Sequence, residues 1–94
     1  MRIRGLVWLP DVVDKLRAKH GLRETEVEQV FGMGPLFRRV ERGHVSGEDL
    51  YAALGRTDAG RHVIVFFVFK KSGDALIVTA RDMDRKERRR YENK

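Results

Sequence analysis

The sequence predicts an α+β domain with two N-terminal helices, an antiparallel four-stranded meander and a C-terminal helix. Three observations predict it. Apolar residues recur at helical spacing in the first third of the chain, between a proline start and a glycine stop. From Leu36 onwards, short apolar runs alternate with turn-forming clusters, and the stretch from Asp84 to Tyr91 is almost wholly charged.

The elements follow in order. Pro10 sets up a helix start, Asp11 and Asp14 complement its positive end, and Lys15, Arg17, Lys19 and His20 gather near its negative end. Gly21 supplies the stop, so the first helix runs from Asp11 to His20, with Val12, Val13 and Leu16 as its buried stripe and His20 at the core's edge. A second helix is signalled by the capping-box spacing of Thr25 and Glu28 and by Val27, Val30 and Phe31 on one face; Gly32 and Gly34-Pro35 end it. Strands are expected over Leu36–Glu41 and Leu50–Arg56, separated by the turn-rich stretch from Arg42 to Gly47. Asp58-Ala59-Gly60 reads as a tight turn, followed by a strand from Arg61 to Phe69 whose apolar run, Val63 to Phe69, calls for cover on both faces and hence a central place in the sheet. After a turn at Ser72-Gly73-Asp74 comes the last strand, Ala75 to Ala80, and then the charged helix from Asp84 to Tyr91. No repeat or linker interrupts the pattern, so residues 1–94 are read as one domain.

Composition narrows the function classes. The chain has 94 residues, 41% hydrophobic and 36% charged, enough for one modest core beneath a heavily charged surface. There are no cysteines, which removes disulfides, thiolate metal sites and a thiol nucleophile. The N-terminal apolar run is too short for a signal peptide, and no segment reaches membrane-spanning length, so a cytoplasmic location with no membrane partner is expected. A formal net charge of +6 favours polyanionic partners such as nucleic acid, although a basic surface alone also suits a protein with none.

No P-loop, serine-hydrolase elbow, zinc-protease or dinucleotide motif is present. His20, His44 and His62 fall at unrelated spacings without paired carboxylates, so no metal and no cofactor is expected. What remains is a concentration of arginine around a histidine. Arg56 ends one strand, Arg61 begins the next across a turn and Arg81 closes the last, so the meander ends gather cations. Guanidinium groups bind phosphate oxygens bidentately and stabilise the charge that builds on a phosphorane, while imidazole moves a proton. RNA carries its own nucleophile, the 2′-hydroxyl beside the scissile phosphate, so base, acid and charge stabilisation suffice. Each residue also has a plainer structural explanation. Lys19 and His20 sit where a helix C-terminus attracts cations, and Arg81 is placed as a solvated strand-end charge. Arg85, Lys86, Arg88, Arg89 and Arg90 form the strongest basic cluster, which suits either a solvated helix or an RNA-tracking one.

Trp8, Lys19-His20-Gly21, Val27 to Phe31, Leu54-Gly55-Arg56-Thr57, Gly60-Arg61, and Thr79-Ala80-Arg81 followed by Glu87-Arg88-Arg89-Arg90-Tyr91 together resemble, in order and spacing, the BrnT toxin family over nearly the whole chain. The resemblance implies a RelE-like ribonuclease fold, metal-free RNA cleavage and neutralisation by a BrnA-type antitoxin, through which alone the toxin would meet DNA. Carried onto this sequence, it implies His20 as general base or acid, Lys19 and Arg61 as groups that hold phosphate or tune His20, and Arg81 as the transition-state stabiliser. Arg56 and the cations from Arg85 to Arg90 would hold the RNA backbone. Leu9, Val12 and Leu16 occupy positions where the family often carries polar residues. That departure keeps a second reading open, a non-catalytic module that pairs with a DNA-binding antitoxin and acts in autoregulation.

Overall fold

The computed structural model describes residues 1–45 and 47–93. Its elements are β1 (Gly5–Val7), α1 (Pro10–His20), α2 (Glu24–Gly32), β2 (Leu36–Glu41), β3 (Leu50–Arg56), β4 (His62–Phe69), β5 (Asp74–Asp82) and α3 (Arg85–Glu92). The strands form one sheet in the order β1-β5-β4-β3-β2, with β4 in the middle as its apolar run requires. The α+β class and the antiparallel pairing of β2 through β5 match expectation. The strand count does not: β1 pairs in parallel with Asp74–Leu76 of β5, which makes the sheet five-stranded and mixed. Three residues are too few to show a period, and this strand's partner lies at the far end of the chain.

Local chemistry sets most boundaries. Pro10 stands at the start of α1, and Gly21, at φ 59°, ends it in the left-handed conformation. The Gly21 amide donates to the Arg17 carbonyl at 3.2 Å and that of Leu22 to the Leu16 carbonyl at 3.1 Å, which turns the chain so that Leu22 is buried. The α2 start needs correction. Its N-cap is Arg23, whose amide donates to the Glu26 carboxylate at 3.0 Å, so the acid that serves the helix start is Glu26 and not the expected Glu28. Between β3 and β4, the Thr57 amide donates to the Arg61 carbonyl at 2.9 Å and the Arg61 amide to Thr57 Oγ1 at 3.1 Å, while Gly60 takes a φ of 89°. Ser46, in the expected turn after β2, lies outside the described residues.

The sheet has two unequal faces. One is covered by α1 and α2 and holds the main core: Leu16, Leu22, Val27 and Val30 from the helices against Ala53, Val63, Val65, Phe67, Ala75, Ile77 and Ala80 from the strands. Trp8 and Tyr51 are partly buried against it, as expected of core-edge aromatics. Gly55 lets α2 lie close on β3, because a Cβ there would stand 3.0 Å from Val30 Cγ1. The opposite face buries only Ala52, Leu54 and Ile64, beneath Leu36, Phe66, Met83 and Tyr91. Over this smaller cluster lies α3, which contributes no fully buried residue of its own. Much of this second face is therefore uncovered.

A bulge decides which residues belong to which face. Along β4 and β5 the register runs Val63–Asp82, Ile64–Arg81, Val65–Ala80 and Phe66–Thr79, then jumps to Phe67–Ile77, so that Val78 is unpaired and 42% exposed. Arg81, opposite the buried Ile64, lies on the α3 face, and Asp82, opposite Val63, lies on the α1 and α2 face.

Candidate nucleic-acid interface

The basic residues singled out in the sequence fall into three groups. The first surrounds the end of α1. Arg61 Nε donates to Asp82 Oδ1 at 2.6 Å and its Nη2 to Asp82 Oδ2 at 3.2 Å. The same guanidinium donates to the carbonyl of His20 at 2.6 Å and to that of Gly21 at 3.0 Å, and lies 3.8 Å from Glu26. These are the carbonyls that a helix C-terminus leaves without an internal partner. Arg61 therefore clamps α1 to the sheet and fixes the backbone of His20, while Lys19 remains exposed beside it. Hydrogen bonding to Arg61 holds the Asp82 carboxyl below the ordinary carboxylate range.

Replacing Arg61 with alanine should destabilise the fold by about 1–2 kcal/mol, at the low end for charge-assisted hydrogen bonds because exposed Asp82 is screened by solvent. Because the folded-state pKa of Asp82 is depressed, the share contributed by the Asp82 pair is complete above the ordinary carboxylate pKa and disappears as pH falls through the folded value. Urea midpoints of the two proteins should differ at neutral pH and draw closer in acid, with the part due to the His20 and Gly21 carbonyls remaining. Equal midpoints at neutral pH would mean that Arg61 is no clamp.

The second group lies on the uncovered face, where Arg81 reaches α3. Arg81 Nη1 and Nη2 donate to Glu87 Oε1 and Oε2 at 2.7 and 2.9 Å, a bidentate pair, and the guanidinium sits 5.5 Å from the centre of the Phe66 ring. Glu87 is doubly employed, because it also accepts the Asp84 amide at 2.9 Å while Asp84 accepts the Glu87 amide at 2.8 Å, forming the capping box of α3. Next to this anchor is a groove of about 410 Å³ lined by Arg38, Asp84, Lys86, Glu87 and Arg90. Arg38 was not singled out in the sequence, although strand alternation from the apolar Leu36 places both on one face.

The third group lies on the other flank of α3. There His62, paired in register with Arg56, packs its ring edge-on against Tyr91 at 5.8 Å between centroids. Arg85 and Arg89, at helical spacing opposite Glu87 and Tyr91, face away from the sheet.

The structure thus joins His20, Lys19 and Arg61 at one corner and Arg81, Lys86 and Arg90 at another, with Arg56 and Arg88 apart from both. His20 and Arg81 belong to opposite sides of the sheet and make no contact among the described residues. Between Ile77 and Asp82 the edge of β5 that separates them carries no β1 pairing, because β1 covers β5 only as far as Leu76. A larger depression of about 450 Å³, between the N-terminal segment and α2, is lined chiefly by apolar residues such as Ile3, Leu6, Phe31 and Phe37, with Glu28 beside them and no Arg, Lys or His side chain in the lining. Among the described residues no three His, Asp or Glu side chains stand in a metal-binding group. No described helix is long and apolar enough to cross a membrane.

Comparison with known proteins supplies the family. A family model described as the ribonuclease toxin BrnT of a type II toxin–antitoxin system matches residues 8–87. The fold is similar to the 1.1 Å crystal structure of the Brucella abortus ribonuclease toxin BrnT, with a TM-score of 0.59 at 16% identity, over 86% of this chain and 97% of that one. No curated protein sequence matches.

Proposed function

Since the chain belongs to the BrnT family of ribonuclease toxins of type II toxin–antitoxin systems, we propose that it cleaves RNA without a metal, by attack of the ribose 2′-hydroxyl on the adjacent phosphate, along the open edge of β5. The observation that carries this reading is the gathering of Arg81, Arg38, Lys86 and Arg90 on one sheet face, around a groove of about 410 Å³. In this proposal Arg81 stabilises the charge on the phosphorane, held in orientation by Glu87 and Phe66. His20, on the other side of the edge, moves the proton, and Arg61 acts through it by fixing its backbone. Lys19 adds a mobile cation beside His20. Arg38, Lys86 and Arg90 hold the backbone of the bound strand. The partner would be a BrnA-type antitoxin, whose DNA-binding part would link the toxin to its own promoter.

A second reading has its own observation. Two of the three strand-end arginines are already paired with carboxylates, Arg61 with Asp82 and Arg81 with Glu87, as in a module that only binds.

The two readings separate when the purified chain is incubated with a defined RNA in EDTA. Cleavage with cyclic-phosphate ends is the expected result, together with growth arrest when the chain is induced in cells without its antitoxin. A folded chain that leaves RNA intact and does not arrest growth belongs to the binding reading.

A further inference from the structure

The groove beside Arg38 does not account for the opposite flank of α3. His62 stands at the start of β4, on the same face as Arg81, and none of the roles assigned so far uses it. Three elements surround it. From β3 comes Arg56, its partner in register, so the two side chains project from one face at cross-strand distance, roughly 5 Å between Cβ atoms. From α3 come Arg88, Tyr91 and Glu92, with the Tyr91 ring edge-on to the imidazole. After β5, the Met83 amide donates to the His62 carbonyl at 3.1 Å, and its side chain packs on the same sheet face. The side chains of the flanking Arg61 and Asp82 meet each other at the α1 corner. Among the described residues the acid that faces His62 is Glu92, exposed and 3.7 Å from Arg88.

We propose that Arg56, His62 and Arg88 form a phosphate-binding subsite for one backbone phosphate of RNA, in which the imidazole takes up a proton from solvent as the anion binds. The proposal rests on the reading of this face as an RNA interface, but not on cleavage. Among the described residues two guanidinium groups face one exposed countercharge, which leaves net positive potential and five-donor forks suited to phosphate oxygens. Between them His62 is half-buried, and its pKa lies below the ordinary histidine value, first through burial and then through Arg88 and Arg56. In the free protein the ring is therefore neutral near pH 7. A phosphate diester placed between the arginines offsets their repulsion and accepts a hydrogen bond from the imidazolium, so the pKa rises on binding. By linkage, RNA must then bind more tightly as pH falls through the interval between the free and bound values.

The test follows the imidazole signals of His20, His44 and His62 by NMR between about pH 5.5 and about pH 7.5, the range in which histidine titrates. The probes are a 2′-O-methyl oligoribonucleotide, which binds but cannot be cleaved, and inorganic phosphate in a separate arm. The oligonucleotide should raise the His62 pKa by about one unit, equivalent to about tenfold tighter binding at the acid end. In His62→Gln this pH dependence should vanish while thermal stability and binding at the alkaline end are retained. Arg56→Ala should reduce the salt dependence by about one phosphate contact. An equal shift from inorganic phosphate at matched concentration would keep the phosphate site but overturn its assignment to RNA. An oligonucleotide that perturbs the Arg38 and Arg90 groove yet leaves His62 unmoved defeats the subsite alone. One that perturbs no residue defeats the RNA interface as well.

Discussion

Arg81→Ala should lower the cleavage rate at saturating RNA by about 10²–10³, the usual loss when one donor to a developing oxyanion is removed. The expectation rests on placement. Arg81 is the strand-end arginine that lies beside the Arg38 and Arg90 groove, and its bidentate grip on Glu87 and its seat on Phe66 fix the direction of the remaining N–H groups. A fixed donor costs no reorganisation as charge builds, which a freely rotating side chain cannot match. Arg81→Lys should recover little, since a point charge offers one donor direction in place of a planar fork. The same mutation removes the partner of Glu87, so a loosened α3 has to be distinguished from lost chemistry. Glu87→Gln makes that distinction. It removes the counter-anion and weakens the capping box but keeps the guanidinium, so it should lower the melting temperature while most of the rate survives. A rate in Glu87→Gln as low as in Arg81→Ala would make Arg81 an anchor and not a catalytic group. Arg90→Ala is the second control. It should weaken RNA binding in a salt-dependent way and leave turnover at saturation intact; a dead Arg90→Ala would erase the division between binding and chemistry.

The largest stability effect is expected at Phe67. It lies in the central strand, is fully buried, and is ringed by Phe31 at 5.4 Å, Tyr51 at 5.9 Å and Phe37 at 6.0 Å between ring centroids. Phe67→Ala should cost about 3–5 kcal/mol, because the helices above and the strands on each side cannot all collapse into the space left. Against a typical total of about 5–15 kcal/mol, that is a large share, and at the low end of the range it leaves a substantial fraction of the chain unfolded. Phe67→Leu, which keeps most of the volume, should cost under about 1.5 kcal/mol. Urea unfolding followed by near-UV circular dichroism checks both values. A loss below about 1 kcal/mol for the alanine variant would mean that the aromatic cluster is loosely packed.

Much of this architecture can be read without coordinates. Leu36–Glu41 and Leu50–Arg56 coincide with β2 and β3 residue for residue, because Gly34-Pro35 and the turn-rich segment after Arg42 punctuate runs of clear strand character. The unbroken apolar run from Val63 to Phe69 announces the central strand. The start of α2 cannot be read so well, since Thr25 with Glu28 and Arg23 with Glu26 have the same spacing and the backbone chooses the pair with the weaker cap residue. The site is harder, and one residue accounts for much of the difficulty. Counting alternately from the buried Ala75 and Ile77 would send Arg81 to the same side as His20, making a single compact cluster. The bulge at Val78 shifts the count by one, so Arg81 emerges beneath α3 and Asp82 takes its place beside Arg61. Nothing in the composition of Ile77-Val78-Thr79 marks that insertion. His62 was likewise passed over because its partners, Arg56 and Arg88, come from separate elements that only the folded sheet brings to one rim.

The parallel pairing of Gly5–Val7 with Asp74–Leu76 also governs when the domain can be completed. The hydrogen bond from Arg4 to the Ser72 carbonyl that flanks it closes a loop of 68 residues, whereas the hairpins from β2 to β5 join neighbours in the chain. During synthesis the first strand leaves the ribosome long before its partner exists and must wait until Asp74 to Leu76 have been made. Sheet closure at that edge therefore comes after the hairpins have had time to form, and the domain stays without the aligned edge of β5 until Asp74–Asp82 has emerged.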